Sequence, residues 1–177
     1  MNQKQKHCLR LFSIALSLCG LVPTGSASPS AREIVKFSPD YPAGMIVIKQ
    51  SERKLYLITG DGTAIRYPIA IGKTGKAWKG EAFVAGKFVQ PAWSPPEVVR
   101  HDHPNFPDVI PGGAPNNPMG AAAITLNLSE VAIHGTTDTM RKSVGTAASY
   151  GCIRMYNEDV LDLFERVDVG TRVVAVP

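Results

Sequence analysis

The chain has 177 residues and a formal net charge of +4, which suits one catalytic domain and excludes a second large one. A chain of this length buries a core without disulfide bonds. Its 16 Gly and 14 Pro, with only 7% aromatic residues, favour a β-rich domain with many turns.

Residues 1–27 have the pattern of a secretory signal peptide. Three basic residues precede an apolar run at 11–22, which is too short for a typical membrane-spanning helix. Small residues at 25–27 offer a signal peptidase site, so we predict cleavage after Ala27. The mature protein is then exported, to the periplasm or the cell wall.

Two other interpretations of this segment stay open. One is an uncleaved membrane anchor, against which the short run argues. The other is a lipoprotein signal ending at Cys19, for which Leu16 fits but Leu18 stands where a small residue is wanted.

Removal of the signal changes the charge and the cysteine count. It takes away three positive charges and lowers the net charge from +4 to about +1, so the sequence does not indicate a nucleic-acid partner. It also takes away Cys8 and Cys19 and leaves Cys152 as the single thiol. A lone cysteine in an exported chain either pairs with another chain or is kept as a reactive thiol.

The mature chain is predicted to begin with a linker at 28–43, followed by a domain over 44–177. The predicted strands are 45–50, 54–59, 63–71, 82–89, 122–128, 131–134 and 171–176. The first three form an antiparallel meander, because short turns join only antiparallel neighbours. Pro68 places the third strand near an edge or a bulge.

Two further segments complete the predicted domain. Residues 91–123 are rich in Pro and Gly and form a long loop, which is typical of a functional lid or rim. A single late helix begins at Asn157 as N-cap and ends at Gly170, with the apolar residues Val160, Leu161, Phe164 and Val167 on one face.

The residues most able to carry chemistry are Cys152 and His134. A thiol needs a base or a positive neighbour to become a nucleophile near neutral pH. Gly135 lets the chain turn sharply after His134, and Gly151 permits a strained backbone before the cysteine. The backbone N–H groups of Gly151 and Cys152 are then predicted to face a developing oxyanion.

The segments that contain these residues resemble a known family. His134-Gly-Thr and Ser149-Tyr-Gly-Cys-Ile-Arg-Met155 closely resemble the signature of the L,D-transpeptidase catalytic domain, the YkuD family. Trp93-Ser-Pro-Pro and Gly113-Ala-Pro-Asn-Asn-Pro-Met-Gly120 resemble two further family segments. The resemblance covers about residues 44–177.

The resemblance implies a mostly-β, L,D-transpeptidase-type β-sandwich with one late helix and a long Pro/Gly-rich loop. It implies an acyl-enzyme on Cys152, with His134 as the base and with no metal or organic cofactor. Its partners would be peptidoglycan stem peptides, and a lipoprotein acceptor is also allowed. It places five residues at the substrate: Ser149, Tyr150, Arg154, Gly135 and Thr136.

This sequence departs from the family pattern at two places. Tyr150 replaces a histidine that usually precedes the Gly-Cys pair, so no role of that histidine is transferred here. Residues 76–80 replace a Thr-Pro-x-Gly segment, which leaves the substrate preference on that side open.

Several other functions are compatible with parts of the sequence. An L,D-carboxypeptidase or a peptidoglycan–lipoprotein amidase shares the motifs, and a non-catalytic wall-binding module would keep only the fold. His101-Asp-His103, with Cys152, is a weak zinc pattern, because no carboxylate-rich motif follows it.

Overall fold

The computed structural model describes residues 32–177, and the predicted mostly-β fold is confirmed in them. The strands are β1 (Glu33–Lys36), β2 (Ile46–Lys49), β3 (Lys54–Gly60), β4 (Thr63–Pro68), β5 (Ile71–Gly72), β6 (Gly80–Val89), β7 (Ala122–Leu126), β8 (Ala132–His134), β9 (Ala147–Ser149), β10 (Ile153–Arg154) and β11 (Arg172–Val176). The helices are α1 (Glu97–Asp102) and α2 (Asn157–Arg166), and a 3-10 turn covers Arg141–Ser143.

Nine strands are hydrogen-bonded in the order β1-β4-β3-β2-β11-β6-β7-β8-β10, while β5 pairs with β9. The predicted antiparallel meander of β2, β3 and β4 is confirmed. The long strand β6 pairs with β11 through residues 80–83 and with β7 through residues 84–89. This strand therefore joins the half that contains the meander to the half that contains the cysteine segment.

The core lies on both sides of the meander. Ile46 and Ile48 of β2 belong to a large apolar cluster that also takes in residues of β7 and α2, while Val47 faces a second, smaller cluster. Side chains alternate across a strand, so β2 is apolar at successive positions because both of its faces are covered. Phe37 and Tyr41 pack against the smaller cluster.

Three predicted element boundaries were wrong. Part of the predicted linker at 28–43 is strand β1, which pairs with β4 and is antiparallel to it. The predicted third strand at 63–71 divides into β4 and β5, with Pro68 as the last residue of β4. The predicted loop at 91–123 contains helix α1, whereas the predicted start of a strand at Ala122 is confirmed by β7.

Asn157 does not cap α2 as predicted. Tyr156 occupies the N-cap position and makes no capping bond through its side chain, and Asn157 is the first residue of the helix. The side chain of Asn157 instead bonds to backbone groups of two other segments.

The predicted signal segment, 1–27, lies outside the described residues. Neither helix in residues 32–177 has the length and apolarity needed to cross a membrane.

Candidate active site

The pairing of β8 with β10 sets the positions of the predicted catalytic residues. The two strands are parallel, with His134 opposite Arg154, and Met155 N–H donates to His134 O at 2.8 Å. Cys152 comes two residues before Arg154, at the entrance to β10. Both strands are only two or three residues long, so their ends bring the imidazole, the thiol and the guanidinium to one edge of the sheet.

These side chains share a cavity of about 80 Å³, which we call the Cys152 cavity. It is lined by Cys152, His134, Arg154, Ser149, Tyr150, Glu130, Trp93, Pro96, Val98, Val99, Pro118 and Met119. The loop at 91–121, called the strap below, supplies the last six of these. The structure therefore brings five of the predicted site residues together and encloses them with the Pro/Gly-rich segment.

Gly135 and Thr136 do not line the Cys152 cavity, although the sequence placed them at the substrate. Thr136 is buried, its hydroxyl donates to Met155 O at 3.3 Å, and it lines a separate cavity beside Asn157. Gly135 is required for space, since a Cβ there would lie 2.2 Å from Asn157 Oδ1. Its φ is not positive, so the sharp turn that we expected is not the reason for this glycine.

The turn from Ser149 to Cys152 presents the thiol. Gly151 has φ 133°, a value that residues with a side chain rarely adopt, as predicted for this position. Ser149 Oγ donates to Cys152 O at 2.6 Å and accepts from Gly151 N–H at 3.1 Å. The Gly151 N–H is therefore occupied within the turn, which leaves Cys152 N–H as the proposed oxyanion donor.

A hydrogen bond to a backbone carbonyl orients the thiol of Cys152. Its Sγ donates to Glu130 O at 3.4 Å. Burial raises the pKa of Cys152, and the Ala132 N–H and the Arg154 charge oppose that effect. Glu130 has a left-handed backbone with φ 59°, a strained conformation of the kind that clusters at functional sites.

His134 is the proposed base. Its Nδ1 lies 2.8 Å from Gly135 O, and a carbonyl oxygen only accepts, so Nδ1 carries the hydrogen and Nε2 is the nitrogen proposed to take a proton. The backbone of Pro118 makes a second contact with the ring. Burial, reinforced by the positive charge of Arg154, lowers the pKa of His134 to about 4. The imidazole is therefore neutral near pH 7.

Arg154 brings an unbalanced positive charge to the cavity. Within residues 32–177 its Nε is buried without a hydrogen-bond partner, and its Nη1 donates to Ser143 Oγ at 3.5 Å. Burial lowers the pKa of its guanidinium. The ion pairs found among residues 32–177 do not include Arg154, which leaves this cation available to an anionic group in the cavity.

Asn157 is a supporting residue that the sequence analysis missed. Its Oδ1 accepts from Ala121 N–H and Thr136 N–H, both at 3.0 Å, and its Nδ2 donates to Thr136 O at 2.9 Å. It thus joins the start of α2 to the His134 segment and to the end of the strap. The signal was available in the two glycines that face it, Gly120 and Gly135.

His101 and His103 do not form a metal site with Cys152. Within residues 32–177, no three His, Cys, Asp or Glu side chains are arranged to hold an ion. His101 contacts Asp102, and the ring of His103 stacks on Phe106 at 5.0 Å between centroids.

A thiol, a neutral imidazole and a guanidinium that has no ion pair within the described residues meet at one cavity, and such a site is suited to nucleophilic acyl transfer. The family model for the L,D-transpeptidase catalytic domain (YkuD) matches residues 43–174. The chain belongs to this family, as the motifs predicted.

Curated relatives carry the same family name. The chain is 38% identical over 144 residues to the probable L,D-transpeptidase YbiS of Escherichia coli, covering 76% of this chain and 45% of that protein. It therefore spans about half the length of that relative.

Solved structures share the fold. A structure titled as L,D-transpeptidase 3 from Mycobacterium tuberculosis with a faropenem-derived adduct has a TM-score of 0.58 and 16% identity, over 77% of this chain and 62% of that one. A Brucella melitensis structure titled as a probable carnitine operon oxidoreductase is 37% identical, with a TM-score of 0.56, over 85% of this chain and 96% of that one.

Proposed function

We propose that this protein is an exported L,D-transpeptidase that acts on peptidoglycan stem peptides through an acyl-enzyme on Cys152. The observation that carries the proposal is the meeting of Cys152, His134 and Arg154 at one cavity. Family membership supports the substrate class, and the names of relatives such as YbiS agree with it.

In the first step, Cys152 attacks the carbonyl of the third stem residue, which is joined to a terminal D-alanine. The thiol proton passes to His134 Nε2 as the carbon–sulfur bond forms, and Cys152 N–H stabilises the oxyanion. The carbon–nitrogen bond then breaks. The D-alanine amine leaves with the proton from His134, and a thioester remains on Cys152.

In the second step, an amine from another stem peptide attacks the thioester carbonyl. His134 takes the amine proton, the carbon–sulfur bond breaks, and the Cys152 thiol is regenerated with that proton. A water in place of the amine would give an L,D-carboxypeptidase. In an amidase, Cys152 would attack a stem carbonyl joined to a lipoprotein, the lipoprotein amine would leave, and water would hydrolyse the thioester. The leaving group of the first step and the acceptor of the second together decide among these alternatives.

Arg154 is proposed to hold a carboxylate of the donor stem. Its Nε is buried and unpaired in the described residues, and the guanidinium lies between the Cys152 cavity and an adjoining cavity of about 320 Å³. Burial of a guanidinium without an ionic partner lowers the stability of the folded protein, and a bound anionic ligand would offset that loss. Ser149 acts within the cysteine turn instead, through its bonds to Gly151 and Cys152.

Covalent labelling tests the nucleophile. We expect a carbapenem to add once to the mature wild-type protein, as measured by intact mass, and not to Cys152→Ala. Cys152→Ser is the matched variant that keeps the shape of the turn. An adduct of equal yield on the alanine variant would contradict the assignment.

Wall fragments test the reaction. The wild-type protein incubated with purified disaccharide tetrapeptides should release D-alanine and produce cross-linked dimers, detected by mass spectrometry. Tripeptides without dimers would show the carboxypeptidase, and neither product would favour the non-catalytic wall-binding module. N-terminal sequencing of the exported protein should begin near Ser28, whereas a lipidated Cys19 would contradict the predicted cleavage.

A further inference from the structure

A hydrogen bond joins the strap to the residue before the Gly-Cys pair. The Tyr150 hydroxyl donates to Asp102 Oδ2 at 2.6 Å. Asp102 is the last residue of α1, and Tyr150 stands where the family usually has histidine. The bond therefore connects the wall of the Cys152 cavity to the turn that presents the nucleophile, and the proposed reaction uses neither residue.

A third segment converges on the same carboxylate. Lys73 follows β5, and its Nζ lies 4.0 Å from Asp102 Oδ2 and 3.8 Å from the centroid of the Tyr150 ring. The Lys73 N–H donates to Ser149 O at 3.0 Å, which fixes the lysine against the cysteine turn. The hydrogen bond from Tyr150 is the main cause of a lowered pKa at Asp102. The carboxylate thus receives a hydroxyl donor and a cation from the two segments beneath the strap.

Helix α1 needs such an attachment to keep its position. It has six residues, which is too short for a helix to be stable on its own in water. Arg100 bonds to Asp108 and to Pro95 O, but both of these partners lie within the strap itself. Val98 and Val99 of α1 line the Cys152 cavity, so a displacement of the helix would change the wall that a substrate contacts.

We propose that the Tyr150–Asp102 hydrogen bond is a latch that holds α1 over the Cys152 cavity, with both side chains acting as positioning residues for the donor substrate. The inference about substrate rests on the proposed function. The phenol ring carries its oxygen further from the backbone than an imidazole carries its nitrogens. The latch therefore depends on tyrosine at this position.

Four variants test the latch. Tyr150→Phe removes the donor but keeps the ring under Lys73, and Asp102→Ala removes the acceptor. The double variant carries both changes, and Asp102→Asn keeps an oxygen acceptor. Tyr41→Phe, at a half-buried position beside the smaller core cluster, and Asp61→Asn, at an exposed turn, make the same chemical changes away from the Cys152 cavity and serve as controls.

Hydrogen exchange measured by mass spectrometry reads the position of α1 without reference to activity. We expect amides in residues 97–106 to exchange at least about threefold faster in Tyr150→Phe and Asp102→Ala, because the opening of a locally attached segment is then less costly. Asp102→Asn and the two controls should stay close to the wild-type protein. Unchanged exchange in Tyr150→Phe and Asp102→Ala would overturn the latch.

Carbapenem acylation followed over a series of concentrations up to saturation separates the binding constant from the rate constant of the chemical step. Each disrupting variant should lose about fivefold to twentyfold in the second-order rate constant, mainly through weaker binding, as expected for one lost charge-assisted hydrogen bond. The double variant should be within about threefold of Asp102→Ala, because that single change already removes the acceptor of the Tyr150 hydrogen bond. Multiplied losses, or no rescue by Asp102→Asn, would contradict the latch.

The two measurements also distinguish this inference from the proposed function. If the wild-type protein takes no carbapenem but exchange at 97–106 responds as described, the proposed function fails and the latch stands as a structural contact. If the wild-type protein is acylated and neither measurement responds to the variants, the latch fails and the proposed function stands.

Discussion

At the scale of single residues, the proposed reaction of Cys152 depends on the charge state of His134. Burial lowers the pKa of His134 to about 4 and raises the pKa of Cys152. Above about pH 4 and below the raised pKa of the thiol, the resting pair is a neutral imidazole and a neutral thiol, rather than an imidazolium and a thiolate. In the proposed mechanism the proton therefore moves to His134 during the attack, as in general-base catalysis.

This charge state predicts a flat pH profile. His134 loses its capacity as a base only as the pH falls towards about 4, so the acylation rate should stay nearly constant from about pH 5.5 to about pH 8. His134→Ala should lower the rate at pH 7 by about a hundredfold or more. Its residual rate should rise about tenfold per pH unit over the same range, because only free thiolate then reacts. Carbapenem acylation followed across this range measures both effects.

His101→Ala is the matched control for the base. The His101 ring is exposed and contacts Asp102 rather than the thiol, so this change should have little effect on acylation. A loss as large as that of His134→Ala would mean that the strap supplies the base.

At the scale of elements, Asn157 connects three segments, and this connection predicts a large effect of its removal. Asn157→Ala would leave the N–H groups of Ala121 and Thr136 without their acceptor beneath the His134 segment. Each unsatisfied buried group costs about 1–3 kcal/mol, so we expect the free energy of unfolding to fall by about 2–4 kcal/mol. Chemical denaturation measures this loss.

Asn127→Ala is the control for that experiment. Asn127 Oδ1 also accepts one backbone N–H, from Phe83, but at an exposed position where water can replace it. Its loss should cost about 1 kcal/mol or less. Equal losses in the two variants would contradict the supporting role of Asn157.

The strands of the meander could be predicted from the sequence, because their apolar runs and short turns are local signals. β1 was not predicted, since three of its four residues are exposed and its pairing with β4 is a long-range contact. Helix α1 is brief and flanked by prolines, so no periodicity marks it. β9 and β10 are so short that only their partners define them.

The residues of the candidate site could be predicted where reactive residue types occur at the spacing of a known motif. Cys152, His134 and Arg154 line one cavity, and this could be predicted because they belong to short motifs that are recognisable in the sequence. Thr136 and Gly135 belong to the same motif, yet they do not line the Cys152 cavity. Thr136 bonds to Met155 O, and Gly135 makes room for Asn157. Which side of a strand end faces the cavity depends on packing against Asn157, and the motif does not contain that residue.

At the scale of the whole molecule, a buried carboxylate links folding stability to pH. Asp159 is fully buried in α2, and neither of its side-chain oxygens has a hydrogen-bond partner among residues 32–177. Burial raises the pKa of Asp159 to about 6, with a further contribution from Glu158, while Arg32 opposes the shift. The folded protein therefore favours the protonated carboxyl. This contribution to stability is complete below about pH 4 and is lost as the pH rises through about 6.

Asp159→Asn removes this titration. The stability of the variant relative to the wild-type protein should therefore increase as the pH rises. A shift of about two pKa units corresponds to about 2–3 kcal/mol. We therefore expect the difference in the free energy of unfolding, variant minus wild type, to increase by about 2 kcal/mol between pH 4 and pH 7. Urea denaturation at both pH values measures it.

Asp159→Ala, which cannot titrate either, should show the same increase whatever its absolute stability, because its packing defect is the same at both pH values. A difference that stays constant with pH in both variants would mean that Asp159 remains ionised in the folded protein and has found a partner for its charge.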